Sequence, residues 1–214
     1  MMAHVALLSL LVAAARAEII DRIAVTLDNQ VITASEIALE IRLTAFLNGD
    51  PLDFSSDARR KAAGRLIEQK LIRKEIQVGR YVSPSPEEVE PMLKQIQAQR
   101  FHSADEYRQA LAKYGVSEDE LKAHLLWQLT LLRFIDIRFG PGVQVTEAQI
   151  QAYFDANRAT LESPPGATKK LTLDDLRGDI RETLTADGAD KQLNDWLVEA
   201  RKRTRIEFHP EAFQ

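Results

Sequence analysis

The strongest constraint on the fold is a motif that marks helix starts and occurs five times between residues 33 and 149. This motif is called the capping box. A Ser or Thr side chain accepts a hydrogen bond from the backbone N–H three residues later, and the Glu or Gln side chain at that later position accepts one from the backbone N–H of the Ser or Thr. The five pairs are Thr33 with Glu36, Ser85 with Glu88, Ser103 with Glu106, Ser117 with Glu120, and Thr146 with Gln149. Each pair satisfies amides that a helix start leaves unpaired, so the motif predicts a mainly α-helical chain.

Apolar residues at helical spacing indicate how far the longer helices extend. One helix is predicted to begin near Ser55 or Ser56 and to end at Gly79, because apolar and charged residues there share the period of an amphipathic helix. The helix that begins after Ser117 carries apolar side chains on nearly all sides. We therefore predict that it is the longest helix and lies buried at the centre of the fold.

The last part of the chain contains two helical stretches and an alternating segment. The helices are predicted over residues 173–185 and 191–203, on either side of Asp187-Gly188. Residues 205–208 alternate between polar and apolar, as a strand does. The sequence therefore predicts that the chain ends in a short strand.

A β-hairpin is predicted near the start of the chain. Residues 23–27 and Val31-Ile32 are typical of strands, and Asp28 and Asn29 between them tolerate the left-handed backbone of a tight turn. A two-stranded hairpin alone is marginally stable in water, so we expect the strand at 205–208 to pair with it. The predicted fold class is mainly α, a helical core with a small antiparallel sheet formed by an N-terminal hairpin and a C-terminal strand.

The first seventeen residues have the features of a secretory signal. Residues 5–14 are an apolar run, and at about 10 residues it is too short for a membrane span, which needs roughly 20. Ala15-Arg16-Ala17 follows as an A-x-A cleavage pattern, which predicts a cut after Ala17. The alternative is a buried N-terminal helix. Later segments are shorter or carry charges, so no stable membrane insertion is expected of the mature chain.

Residues 162–172 are the clearest linker, because they are rich in Pro, Gly and polar residues. We expect this linker to divide the mature chain into a larger unit, residues 18–161, and a C-terminal unit, residues 173–214. The C-terminal unit is predicted to pack back on the larger one through its strand.

Composition and motifs exclude several classes of function. The chain has 28 Lys and Arg against 32 Asp and Glu, so it lacks the basic character of a general nucleic-acid binder. It has no Cys, which excludes thiol catalysis and disulfide exchange. Its four histidines are far apart in sequence, and it contains no nucleophile or phosphate-loop motif. We therefore predict no catalytic residue, no metal site and no cofactor.

Three passages resemble the SurA-like family of periplasmic chaperones. The first is IDRIAVTLDNQVIT at residues 20–33, and the second is RLIEQKLI at 65–72, followed by Gly79, Val82-Ser83 and the EEV at 87–89. The third is residues 101–132, with a short helix, a Gly-Val-Ser turn and a long helix. The resemblance extends over residues 19–161, and residues 173–208 look more loosely like the family's C-terminal helix and strand.

The resemblance implies a function without catalysis. Family members commonly carry one or two parvulin-type prolyl isomerase domains where this chain has only residues 162–172, so the isomerase activity is not carried over. What it implies is a periplasmic, ATP-independent chaperone (a holdase) that binds unfolded or partly folded envelope and outer-membrane proteins. The alternative is a structural or adaptor subunit that binds one folded partner in envelope assembly.

A client-binding groove is predicted on two short helices. Its candidate residues are Met92, Ile96, Phe101, Tyr107 and Leu111, because methionine and aromatic side chains suit adaptable contacts. The alternative is that these five residues fill the core, as apolar helical stripes usually do. The linker would also allow two copies to exchange their C-terminal segments, so a domain-swapped homodimer is a further possibility.

Overall fold

The fold is mainly α-helical, as the sequence predicts. A computed structural model describes residues 21–161 and 170–214, and within these residues it contains eight α-helices and one three-stranded sheet. The strands are β1 (Ile23–Leu27), β2 (Gln30–Thr33) and β3 (Ile206–Phe208). The helices are α1 (Ala34–Asn48), α2 (Ser56–Gly79), α3 (Glu90–Arg100), α4 (Ala104–Tyr114), α5 (Glu118–Arg138), α6 (Glu147–Ala156), α7 (Arg158–Leu161) and α8 (Leu173–Lys202). The predicted signal peptide and residues 162–169 of the predicted linker lie outside the described residues.

The helix starts follow the capping motifs. Complete capping boxes form at Thr33, Ser117 and Thr146, and Ser85 opens a 3₁₀ turn (Pro86–Val89) that leads into α3. At Ser103 the hydroxyl accepts from the Glu106 amide, while the Glu106 carboxylate accepts from the amide of His102. A further box joins Thr172 to Asp175 at the start of α8, where Asp takes the place of the Glu or Gln that the sequence motif requires.

The sheet joins the beginning of the described chain to its end. β1 lies in the centre and pairs antiparallel with β2 on one side and β3 on the other, so Thr26 is opposite both Val31 and Glu207. The His209 amide donates to the Ala24 carbonyl at 2.9 Å beyond the ladder. The predicted return of the C-terminal strand to the hairpin is therefore confirmed within one chain.

Two large apolar clusters form the core. The main core lies among the sheet, α2, the C-terminal half of α5 and the C-terminal half of α8. Phe134 is at its aromatic centre, with ring centroids 5.1 Å from Tyr81, 5.7 Å from Phe139 and 6.4 Å from Trp196. The second core surrounds Phe46 and is built from α1, α3, α4 and the N-terminal half of α5. Helix α5 therefore connects the two cores.

Three predictions about the helices are wrong. The predicted pair of helices at 173–185 and 191–203 is one continuous helix, α8, which at 30 residues is longer than the 21-residue α5. Helix α5 is also not buried on all sides, because Leu132 is 61% exposed and Ile137 is 51% exposed. Different faces of α5 pack in the two cores, and the rest of the helix is exposed to solvent.

Gly188 lies inside α8 because another element approaches the helix there. A Cβ atom at this position would be 2.5 Å from Cγ1 of Val143, in the segment before α6. The glycine therefore allows close packing and does not end the helix. At Gly178, in the same helix, a Cβ atom would meet no other element of the described chain within 4 Å.

Alanine substitutions at these two glycines are expected to change stability in opposite directions. Gly178→Ala should raise the free energy of unfolding by about 0.5–1 kcal/mol, because alanine is the better helix former. Gly188→Ala should lower it by about 1–3 kcal/mol, because the added methyl group overpacks the contact with Val143. Urea unfolding of both variants tests this, and stabilisation by Gly188→Ala would contradict the close-approach explanation.

A third, smaller cluster joins α6, α7 and the N-terminal half of α8. Ile150, Phe154 and Ile180 are its buried members. Glu147 at the start of α6 forms ion pairs with Arg177 and with Arg181 of α8. This cluster holds together the two segments that flank residues 162–169.

Candidate binding groove

Three cavities adjoin one another around the middle of α5 in the part of the chain that the structure describes. The first, about 330 Å³, lies between α5 and the 3₁₀ turn at Pro86–Val89. The second, about 290 Å³, lies between α5, the C-terminal half of α2 and Ser83-Pro84. The third, about 230 Å³, lies between α5, α1 and α2. Ala123 lines all three, and we call the combined surface the α5 groove.

The walls of the groove are largely apolar. Leu126 lines the first and second cavities, and Trp127 lines the second and third. Trp127 is buried, Leu126 is half-buried and Ala123 is exposed. The small side chain of Ala123 leaves open the space where the three cavities meet, so a larger residue there would divide or fill the groove. The other apolar wall residues include Leu39, Leu43, Leu66, Ile76 and Val89.

Charged side chains frame the apolar walls. Lys122 bonds to Glu90 at 3.0 Å and to Glu118 at 3.1 Å beside the first cavity. Lys70 bonds to Glu36 at 3.2 Å beside the third. These are partly exposed pairs that contribute little to stability, but they surround the apolar surface with charge.

A buried carboxylate lies at the edge of the third cavity. Glu40 is 5% exposed, and its Oε1 accepts from Nε of Arg65 at 2.7 Å. Its Oε2 is 4.0 Å from Nδ1 of His124, and Nε2 of His124 is 3.1 Å from the Gln128 amide nitrogen. Glu40, Arg65 and His124 come from α1, α2 and α5, so this polar network links the three helices that form the cavity.

Burial of His124 should make the protein less stable in acid. Desolvation is the main cause that lowers the pKa of His124, and Arg65 adds to it while Glu40 opposes it. The unfolded chain then takes up a proton near the ordinary His pKa of about 6.5, before the folded protein does. The free energy of unfolding should therefore fall as the pH drops through that value towards the lower pKa of the folded state.

The His124 effect can be isolated by substitution. His124→Gln should flatten the dependence of the urea midpoint on pH over this range, whereas His102→Gln, at an exposed position, should leave it as in the wild type. An unchanged slope in His124→Gln would show that other groups cause the acid sensitivity.

Arg73 lies at the boundary between the second and third cavities. Its guanidinium carbon is 4.1 Å from the ring centroid of Trp127, which is cation–π distance. More than a third of Arg73 is exposed, but partial desolvation of its guanidinium over the indole lowers the pKa of Arg73. The side chain lies over Trp127 and lines both cavities.

The five client-binding residues predicted from the sequence lie elsewhere, around the second core. Tyr107 and Leu111 are buried, and Met92, Ile96 and Phe101 are partly buried against the same cluster. The Phe101 ring stacks with that of Phe46 at 6.1 Å. None of the five lines the three cavities of the α5 groove in the described residues. This placement agrees with the core-filling alternative, and their role in client binding stays a prediction.

The α5 groove is not apparent from the sequence, because the apolar residues of α5 predict that the whole helix belongs to the core. The sequence offers one signal for the groove, the small residue Ala123 among larger apolar residues of α5. Whether Ala123 is exposed, however, depends on how α1, α2 and the 3₁₀ turn pack against α5. The described residues contain no cluster of three or more His, Asp or Glu side chains placed to hold a metal ion. Within the same residues, no helix has the length and apolar character that crossing a membrane requires.

Comparisons with known proteins assign no family to the chain. No family model matches the sequence. No curated protein matches it either. The resemblance to SurA-like chaperones therefore rests on the three sequence passages alone, and the function that follows is a proposal.

Proposed function

We propose that this protein is an ATP-independent holdase that binds unfolded or partly folded envelope and outer-membrane proteins through the α5 groove. The observation that supports this most is the row of three adjoining cavities with apolar walls and charged rims. An apolar surface of modest size framed by charge is typical of protein-binding sites on soluble proteins. An extended or helical client segment would cross α5 and place apolar side chains in successive cavities.

The size of the cavities favours a polypeptide over a small enclosed ligand. The first cavity, at about 330 Å³, is close to the lower end of the range for small-molecule pockets, about 300–1,000 Å³, and the other two, at about 290 and 230 Å³, are below it. Several shallow cavities in a row match a chain that presents one side chain to each. The proposed role is therefore binding rather than catalysis.

The proposal includes a periplasmic location. The apolar run at residues 5–14 and the A-x-A pattern that ends at Ala17 support export with cleavage after Ala17. A holdase there would act without nucleotide. N-terminal sequencing of the protein from a periplasmic extract tests this part, and a mature protein that retains residues 1–17 would contradict it.

The test of the holdase function is suppression of aggregation. An outer-membrane protein is diluted out of urea, and light scattering is followed with increasing amounts of the purified protein and no nucleotide. We expect suppression near a stoichiometric ratio. Leu126→Glu should abolish it, because it places a charge in the apolar wall shared by two cavities.

The matched control is Leu132→Glu on the same helix. Leu132 is 61% exposed and does not line the three cavities, so its substitution should leave suppression unchanged. Equal activity of both folded variants would overturn the assignment of the groove. No suppression by the folded wild type, with one tightly co-purifying partner, would instead indicate an adaptor subunit.

The exchange of C-terminal segments between two copies remains a separate proposal. Within the described residues β3 pairs with β1 of the same chain, so a swapped dimer would keep the same contacts between two chains. Light scattering coupled to size exclusion measures the molecular mass, and a monomer at all concentrations would contradict the exchange.

A further inference from the structure

We propose that Arg73 is a carboxylate-binding subsite in the α5 groove, which selects client segments with an acidic side chain between apolar ones. This inference rests on the proposed binding of polypeptides in the groove. It concerns which segments are preferred.

Arg73 differs from Lys122, the other cationic side chain that lines the groove, in having no partner among the described residues. It makes no hydrogen bond or ion pair with any of the described residues, and its one specific contact is the face of Trp127. Most of the remaining charged or titratable lining residues are already bonded: Glu36 to Lys70, Glu40 to Arg65, Glu90 to Lys122, Glu120 to Ser117, and His124 to Gln128.

The contact with Trp127 orients the guanidinium of Arg73 so that it can bind a carboxylate. A guanidinium presents five N–H donors in a planar fork, and two of them match the two oxygens of a carboxylate. Stacking on the indole restricts the orientation of this plane before a ligand arrives. A carboxylate bound there would also compensate for the partial desolvation of the guanidinium.

The distribution of charge along the groove places the subsite at its centre. The second cavity is lined by Arg73 and by no Asp or Glu, whereas Glu87 and Glu90 line the first cavity and Glu36, Glu40 and Glu120 line the third. Lys122 also lines the first cavity, but it is bonded to Glu90 and Glu118, so carboxylates outnumber cations in both end cavities. A client carboxylate is therefore accepted at Arg73 and repelled at either end.

The open shape of the groove favours an acidic side chain over a chain terminus. Arg73 lines both the second and the third cavity, so apolar walls continue on both sides of it. Ile76 and Leu126 form walls on one side, and Leu39 and Leu66 form walls on the other. A segment that passes through would place apolar side chains in both cavities, whereas a terminal carboxylate would leave one of them empty.

The experiment compares two short peptides, acetylated and amidated, in which Leu residues flank either one Asp or one Asn. Binding to the purified protein is followed by the fluorescence anisotropy of a dye on the peptide. We expect the Asp peptide to bind about tenfold more tightly at low salt, which corresponds to about 1.4 kcal/mol. Added salt should reduce this ratio by screening the partly exposed ion pair.

Variants assign the preference to Arg73. Arg73→Gln should bring the ratio of the two affinities close to one, whereas Arg73→Lys should keep part of the preference. Arg108→Gln removes an exposed cation on α4 that is paired with Asp105, so it serves as the matched control and should keep the full ratio.

The outcomes separate this proposal from the holdase function. Equal affinity for the two peptides, with aggregation still suppressed, overturns the carboxylate subsite alone. An Asp preference that survives in Arg73→Gln overturns it as well, as does preferential binding of an Asn peptide with a free C-terminal carboxylate. Failure to bind either peptide, together with no suppression of aggregation, overturns both proposals.

Discussion

Replacing Phe134 with Ala should lower the free energy of unfolding by about 3–5 kcal/mol, the range for removing a large aromatic side chain from a core. Phe134 is 1% exposed, and its ring contacts those of Tyr81, Phe139 and Trp196. The substitution leaves a cavity where α5 meets α8 and the segment after α2. Urea unfolding followed by circular dichroism gives the shift in the midpoint.

Phe54→Ala is the matched control for this prediction. Phe54 precedes α2 and is 39% exposed, so the same change should cost less than about 1 kcal/mol, as is usual for surface positions. Similar losses in the two variants would show that the aromatic cluster around Phe134 is not the centre of the main core.

Replacing Arg65 with Met should also be strongly destabilising, by about 3 kcal/mol, because it leaves the carboxylate of Glu40 buried without its cation. Glu40 is 5% exposed, and the bond from Arg65 to its Oε1 is 2.7 Å long. The free energy of unfolding is measured by urea titration at neutral pH, with an unchanged denaturant slope as the sign that the folded state is intact.

The double variant Arg65→Met/Glu40→Leu separates the buried charge from the lost packing. It removes both charges, and replacing a buried ion pair by apolar residues is often neutral. It should therefore be more stable than Arg65→Met alone. A double variant that is less stable than the single one would indicate that Glu40 is stabilised by its other neighbours, Thr44 and His124.

The helical elements were predictable because their signals are local. The boxes at Thr33, Ser117 and Thr146 involve hydrogen bonds over three residues, which the sequence displays directly. The hairpin was predictable for the same reason, since its turn residue Asp28 adopts the left-handed backbone with φ of 50° that aspartate tolerates.

Gly188 shows where local signals become ambiguous. A glycine between two helical stretches is compatible with a helix end and with a close contact inside one helix, and the apolar period is similar in both cases. Val143 decides between them, because its side chain occupies the space beside Gly188. That contact joins residues far apart in sequence, so no pattern within α8 reveals it.

The candidate site needed the tertiary structure even more. Apolar residues along α5 predict that the helix packs against something, but they do not say which face is covered. The Phe46 core covers Leu121 and Leu125, the main core covers Trp127 and Phe134, and Ala123 remains open between them. The client-binding residues predicted from the sequence lie around the second core. Helical periodicity alone does not distinguish an apolar face that packs in the core from one that binds a partner.

By itself, the sequence determined the mainly helical class, most helix starts and the hairpin, because caps, turns and strand alternation act within a few residues. It also indicated the return of the last strand, because a hairpin of two strands is marginally stable without a third. Only the tertiary structure decided that α8 is continuous, that α5 serves two cores, and that Arg73 stacks on Trp127 beside an open groove. These features depend on the packing of segments that lie tens of residues apart, and the space left between packed helices is a property of all of them together.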